Sequence, residues 1–262
     1  MVRAIILLSL ISLPSFAGDN LITITTKGSG SDITTKQIGN GNVTTILCGA
    51  ATGGVGYSAH TCTNAIWSST IDGNSNVSKI YTVWSNHTGS RYNITIDGND
   101  NYAYIDQDED DNRSTIVQTG NSNHAEQLGT GDDNVYSITQ IGNSKYAKIM
   151  AFGDDSDITI HQSGSGLHNT YIWNHNYADN NSVVVTQSGS GNKDADIYLN
   201  ADADNTDVDL TQSGAGAHTA NMTFTTDDYT VNVNQLGSTN QAYTATFNCT
   251  ANCTKTITIT QQ

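Results

Sequence analysis

Nine glycines recur along this chain at steps of 34, 25, 22, 22, 22, 25, 25 and 23 residues. They are Gly39, Gly73, Gly98, Gly120, Gly142, Gly164, Gly189, Gly214 and Gly237, and seven follow a glutamine by two positions: Gln37, Gln118, Gln140, Gln162, Gln187, Gln212 and Gln235. A unit of 22 to 25 residues is too short to bury an apolar face alone, but stacked copies share one continuous core. The spacing therefore restricts the chain to an array of like units. Whatever stacks units within a chain can also stack chains on one another.

The residues before each glutamine alternate strictly. Ile158 and Ile160 precede Gln162, Val183 and Val185 precede Gln187, Val208 and Leu210 precede Gln212, and Val231 and Val233 precede Gln235. That is the period of a strand with one buried face, and no 3.6-residue pattern competes with it. After each glycine come turn formers such as Gly142-Asn143-Ser144, then a second alternating stretch such as Ala147, Ile149 and Ala151. An acidic corner such as Asp110-Asp111-Asn112 or Asp132-Asp133-Asn134 closes the unit, because Asp and Asn bond their own backbone and tolerate left-handed conformations. The expected unit is strand, turn, strand, turn.

Composition narrows the architecture. Large apolar residues are few, so a thick globular core cannot be filled; a thin coil with a partly polar interior can be. The one proline, Pro14, lies in residues 1–17, where Arg3, the apolar run Ala4–Leu13 and Ser15-Phe16-Ala17 read as a secretory signal peptide. Residues 18–262 then form one repeat domain without proline, which suits an uninterrupted hydrogen-bonded ladder. Removing Arg3 leaves 9 basic against 25 acidic residues, a formal charge of −16, which disfavours nucleic acid and anionic membranes. No second apolar run is long enough to span a membrane.

Stepping by twos also places amides on the inner face. The glutamines point inward, joined by Gln261 at the end of Thr256–Gln261, and so do Asn42, Asn76, Asn101, Asn123 and Asn240, each five residues after the glutamine position. Amides about 4.8 Å apart can donate to one neighbouring rung and accept from the other, which offsets the cost of burying them.

At these positions the chain resembles the curlin repeat of curli fibre subunits, with the pattern S-x5-Q-x-G-x-x-N-x-A-x3-Q. The closest stretches are Gln118-x-Gly120-x-x-Asn123-x-Ala125 and Gln235-x-Gly237-x-x-Asn240-x-Ala242, and the resemblance runs over residues 31–262. Ile71 and Ile96 stand where the pattern has glutamine, and Lys145 where it has asparagine. The resemblance implies an amyloid-like all-β solenoid of about nine strand-turn-strand rungs. It further implies a secreted subunit that assembles into fibres for biofilm matrix, adhesion and cell aggregation. Its partners would be copies of itself, a nucleator subunit and an outer-membrane export channel.

Other readings are weaker. Asp106-x-Asp108-x-Asp110 is the best candidate for calcium, but the repeat length and the missing GGxGxD phrase do not fit a calcium β-roll. Thr-x-Thr steps such as Thr223/Thr225 suggest an ice-binding face, yet the middle of the chain lacks the array. A monomeric secreted solenoid binding calcium or ice is therefore the alternative. His60, His168 and His218 are expected at the surface in loops or turns, no nucleophile set is apparent, and neither cofactor nor metal is called for. Cys48, Cys62, Cys249 and Cys253 allow three disulfide pairings; local pairs Cys48–Cys62 and Cys249–Cys253 are expected because each lies in a lengthened segment.

Overall fold

Stretches in which β-branched residues alternate with polar ones become strands in the computed structural model. It describes residues 18–26, 29–47, 61–82, 87–107, 110–152, 157–173, 182–198, 206–223, 229–246 and 255–262. Four successive seven-residue strands, Ile66–Asp72, Arg91–Asp97, Arg113–Thr119 and Val135–Ile141, share one burial pattern. In each, three buried side chains alternate with half-buried ones between exposed ends.

These strands belong to a ten-stranded sheet running from Asp32–Ile38 to Ile259–Gln261, every described pairing in it parallel. Parallel neighbours cannot be joined by a hairpin, so the chain must return between them. It returns along a second wall that starts as Leu21–Ile24, Val43–Ile46 and Val77–Ser78. This wall continues as parallel bridges through Tyr102, His124, Tyr146 and Asn169, and pairs His218–Ala220 with Gln241–Tyr243. The fold is an all-β solenoid.

Like residues meet along the axis. Ile94, Ile116, Ile138 and Ile160 form one register column with Val185. On the return wall the small residues Ala103, Ala125, Ala147, Ala195 and Ala220 are buried, which keeps the two walls close. Near one corner Trp67 packs on Tyr92 with ring centroids 4.8 Å apart. A core this thin needs few large side chains, which is how so polar a chain can close one. Residues 1–17, His60, Asp108 and Thr225 fall outside the described residues.

Candidate functional site: the stacked amide columns and the ends of the coil

Each inward glutamine is the last or next-to-last residue of a strand of the ten-stranded sheet, so in-register stacking brings the amides together. The Nε2 of Gln118 donates to the Oε1 of Gln140 at 2.9 Å, and the same bond recurs from Gln140 to Gln162, Gln162 to Gln187, and Gln187 to Gln212. It continues from Gln212 to Gln235 at 2.7 Å and from Gln235 to Gln261 at 2.9 Å. From Gln118 through Gln212 each Nε2 also donates across the core to the return wall, as from Gln140 to the His124 carbonyl at 2.8 Å and from Gln187 to the Asn169 carbonyl at 2.6 Å. The glutamine-to-glutamine bonds all run one way, each donating to the glutamine of the following turn.

Gln37 shares the register but is cut off from the column by Ile71 and Ile96. Its Nε2 turns to the Thr44 hydroxyl at 2.8 Å, while its buried Oε1 has no partner among the described residues. The Oε1 of Gln118, which faces Ile96 across the register, is orphaned in the same way.

A second column lies where the corner enters the return wall. The Oδ1 of Asn42 accepts from the backbone N–H of Asn76 at 3.0 Å, Asn76 from Asn101 at 2.9 Å, and Asn101 from Asn123 at 2.9 Å. Their Nδ2 groups donate to the carbonyls of Gly73, Gly98, Gly120 and Gly142 in the following turns. Asn20, which sequence reasoning missed, begins this column: its Oδ1 accepts from the Asn42 N–H and its Nδ2 donates to the Gly39 carbonyl. The corner carbonyls can be reached because the glycines themselves stack. Gly98, at φ +135°, presses so closely on the Gly120 carbonyl that a Cβ there would overlap it. The nine corner glycines all have positive φ.

After Asn123 the column changes character. Its next occupants are Lys145, His168, Lys193, His218 and Gln241. Lys145 Nζ donates to the carbonyls of Gly164 and Gly166, and Lys193 Nζ to those of Gly191, Gly214 and Gly216. His168 and His218 donate through Nε2 to the carbonyls of Ser163 and Ser213 at 2.7 and 2.8 Å. Burial pushes both lysines down, and it lowers His168 to about 4, helped by the flanking charges of Lys145 and Lys193. His218 is lowered for the same first reason.

Two expectations are corrected here. His168 and His218 are not surface residues: they are 1% and 0% exposed. Asn240 does not point inward. It is exposed, its Oδ1 accepts from the Ala217 N–H at 2.9 Å, and Gln241 takes the inner position instead. The reason is one extra residue in the later corners. Gln162, Gln187, Gln212 and Gln235 are followed by their inner residue after six positions, not five, and the inserted residue reverses which side chains face in. Ala242 is exposed and Tyr243 half-buried as a consequence.

Two further ladders were legible in principle. Asn74, Asn99, Asn121 and Asn143 each accept the backbone N–H of the preceding turn through Oδ1 at 2.8–2.9 Å, and each directly follows a corner glycine. At the opposite corner Asn112 and Asn134 are buried and bonded to one another. The recurring Gly-Asn and Asp-Asp-Asn phrases were the signal. Cys62 is buried and disulfide-bonded; Cys48, Cys249 and Cys253 lie outside the described residues, so the pairing remains a proposal. Among the described residues no three His, Cys, Asp or Glu side chains converge as metal ligands. No helix among them is long and apolar enough to cross a membrane.

This chemistry is stacking chemistry: each turn presents the next with the groups it itself requires. Comparison with known families agrees over part of the length. The family described as curlin associated repeat matches residues 131–164, the stretch that carries Gln140 and Gly142 on one turn and Gln162 and Gly164 on the next. No curated protein matches the chain.

Proposed function

We propose that the chain is a secreted structural subunit that adds end to end into curli-like amyloid fibres. These would serve as biofilm matrix and in attachment and cell aggregation. The observation that carries this reading is the glutamine column. It runs without a break from Gln118 to Gln261 and arrives half-buried at the last strand of an all-parallel sheet, where a further strand could extend it. Among the described residues the edge strand Ile259–Gln261 is paired on one side, with Val233–Gln235, and an incoming copy would pair on the other. The partners are then other copies of the chain and, by similarity to curlin repeats, a nucleator and an outer-membrane export channel. Residues 1–17 are the proposed cleaved leader.

Purified protein lacking residues 1–17 is expected to form fibres by electron microscopy, with a meridional reflection near ~4.7 Å. Protein that stays monomeric under conditions where curlin-type subunits polymerise would overturn the reading in favour of a monomeric solenoid.

A further inference from the structure

The outward side of the return wall collects tyrosines. Tyr81, Tyr102, Tyr104, Tyr146, Tyr171 and Tyr198 alternate there with buried residues, and each is half-buried. Two pairs of these rings meet across adjacent turns in the same way. Tyr81 and Tyr104 lie with ring centroids 5.3 Å apart at 67°, and Tyr171 and Tyr198 5.5 Å apart at 69°. The ladder fixes the first pair: the N–H of Thr82, next after Tyr81, donates to the Asp106 carbonyl at 3.1 Å.

The two pairs differ in having a base. The Tyr104 hydroxyl donates to Asp106 Oδ2 at 2.5 Å, and Asp106 Oδ1 is buried with no partner among the described residues. Among those residues neither Tyr171 nor Tyr198 donates to a carboxylate; the Tyr171 hydroxyl reaches the Met150 sulfur at 4.0 Å.

We propose that Tyr81 and Tyr104 are a site of oxidative cross-linking, joined as dityrosine by a haem peroxidase with hydrogen peroxide, and that Asp106 makes this pair the first to react. The site does not depend on fibre formation.

Burial and the hydrogen bond to Asp106 hold the Tyr104 phenol well above its ordinary pKa, so it keeps its proton until an electron leaves. A phenol that has lost an electron is a strong acid, and its proton passes along the existing hydrogen bond. Asp106 is suited to take it. Burial raises the proton affinity of its carboxyl, against the lowering by the Tyr104 hydrogen bond, and protonation removes a charge from a buried place. Tyr81 gives its electron to the same oxidant and its proton to water. The two radicals join through ring carbons ortho to their oxygens, and the hydrogen on each joined carbon moves to its oxygen to restore the phenol. Asp106 passes its proton on to solvent. In all, two electrons and two protons leave the pair, and they reduce one hydrogen peroxide to two waters. The new carbon–carbon bond ties neighbouring turns outside the hydrogen-bonded ladder.

The test treats the dilute purified chain with a haem peroxidase and limiting hydrogen peroxide, follows dityrosine fluorescence, and maps the links by mass spectrometry after trypsin. Cleavage after Lys79, Arg91 and Arg113 puts Tyr81 in residues 80–91 and Tyr104 in residues 92–113, and fragmentation separates Tyr104 from Tyr92 and Tyr102. The expected first product is a link between Tyr81 and Tyr104 within one chain, formed ahead of any Tyr171–Tyr198 link and lost in Tyr104→Phe. In Asp106→Asn, with circular dichroism unchanged, that lead should disappear. Links formed mainly between chains, or first at other tyrosines, overturn the site. A lead that survives in folded Asp106→Asn overturns the part given to the carboxylate. If Asp106→Asn does not fold, the order of the two links in the unsubstituted chain decides, and equal rates overturn the proposal.

Discussion

Replacing Gln187 by leucine removes the middle of the glutamine column while nearly preserving volume. In the intact protein Gln187 Oε1 accepts from Gln162 Nε2 and from the Thr170 hydroxyl, both at 2.9 Å. Its Nε2 donates to Gln212 Oε1 at 2.9 Å and to the Asn169 carbonyl at 2.6 Å. Gln162 keeps bonds to the Tyr146 carbonyl and Thr170, so its loss is partial. Gln212 Oε1 loses a donor in a fully buried setting, and the carbonyl of half-buried Asn169 loses one too. An unsatisfied buried polar group costs about 1–3 kcal/mol, so two give about 2–6 kcal/mol at most, offset in part by the leucine's own burial. Urea unfolding of dilute monomer, followed by circular dichroism, should show a lower midpoint with the slope unchanged. Asp100→Asn, at an exposed corner with φ +56° that asparagine tolerates, serves as the control and should change little. Equal effects from the two substitutions would refute the assignment of the column as a stabilising interior. Apolar Ile71 and Ile96 sit in the same column, and the orphaned Oε1 of Gln118 beside Ile96 is the natural precedent for the cost.

Three other outcomes follow from the second column and the corners. The folded pKa of His168 is depressed to about 4, so its unfolded imidazole takes up a proton first, and stability that is full above about 6.5 is lost as pH falls from 6.5 toward 4. The unfolding free energy from urea titrations should therefore drop between pH 7 and 5, by up to about 1.4 kcal/mol per pH unit for this group, and drop less in His168→Gln; an unchanged pH profile would sink the claim. Lys145→Met leaves the carbonyls of Gly164 and Gly166 without their donor and should cost about 2–5 kcal/mol, read as a lower melting temperature, whereas a neutral result would mean the ammonium is dispensable. Gly98→Ala combines a left-handed backbone with overlap onto the Gly120 carbonyl, and should lower the melting temperature by more than Lys145→Met; a melting curve like that of the unsubstituted chain would argue against stacked corners.

The chain's own pattern determined the architecture because in-register parallel stacking makes each position its own neighbour. A repeat of strands with identical parity, closed by glycine at one corner and Asp or Asn at the other, has few ways to bury its alternate residues. The inward place of Gln118 through Gln235 followed from that alternation alone. What alternation could not settle was parity beyond a lengthened corner. One inserted residue turned Asn240 out and Gln241 in, and carried His168, Lys193 and His218 to the interior. Their burial depends on carbonyls that belong to another turn or to the far side of a corner, such as Gly164 and Gly166 for Lys145. Those acceptors exist at the right distance only once the glycines have stacked.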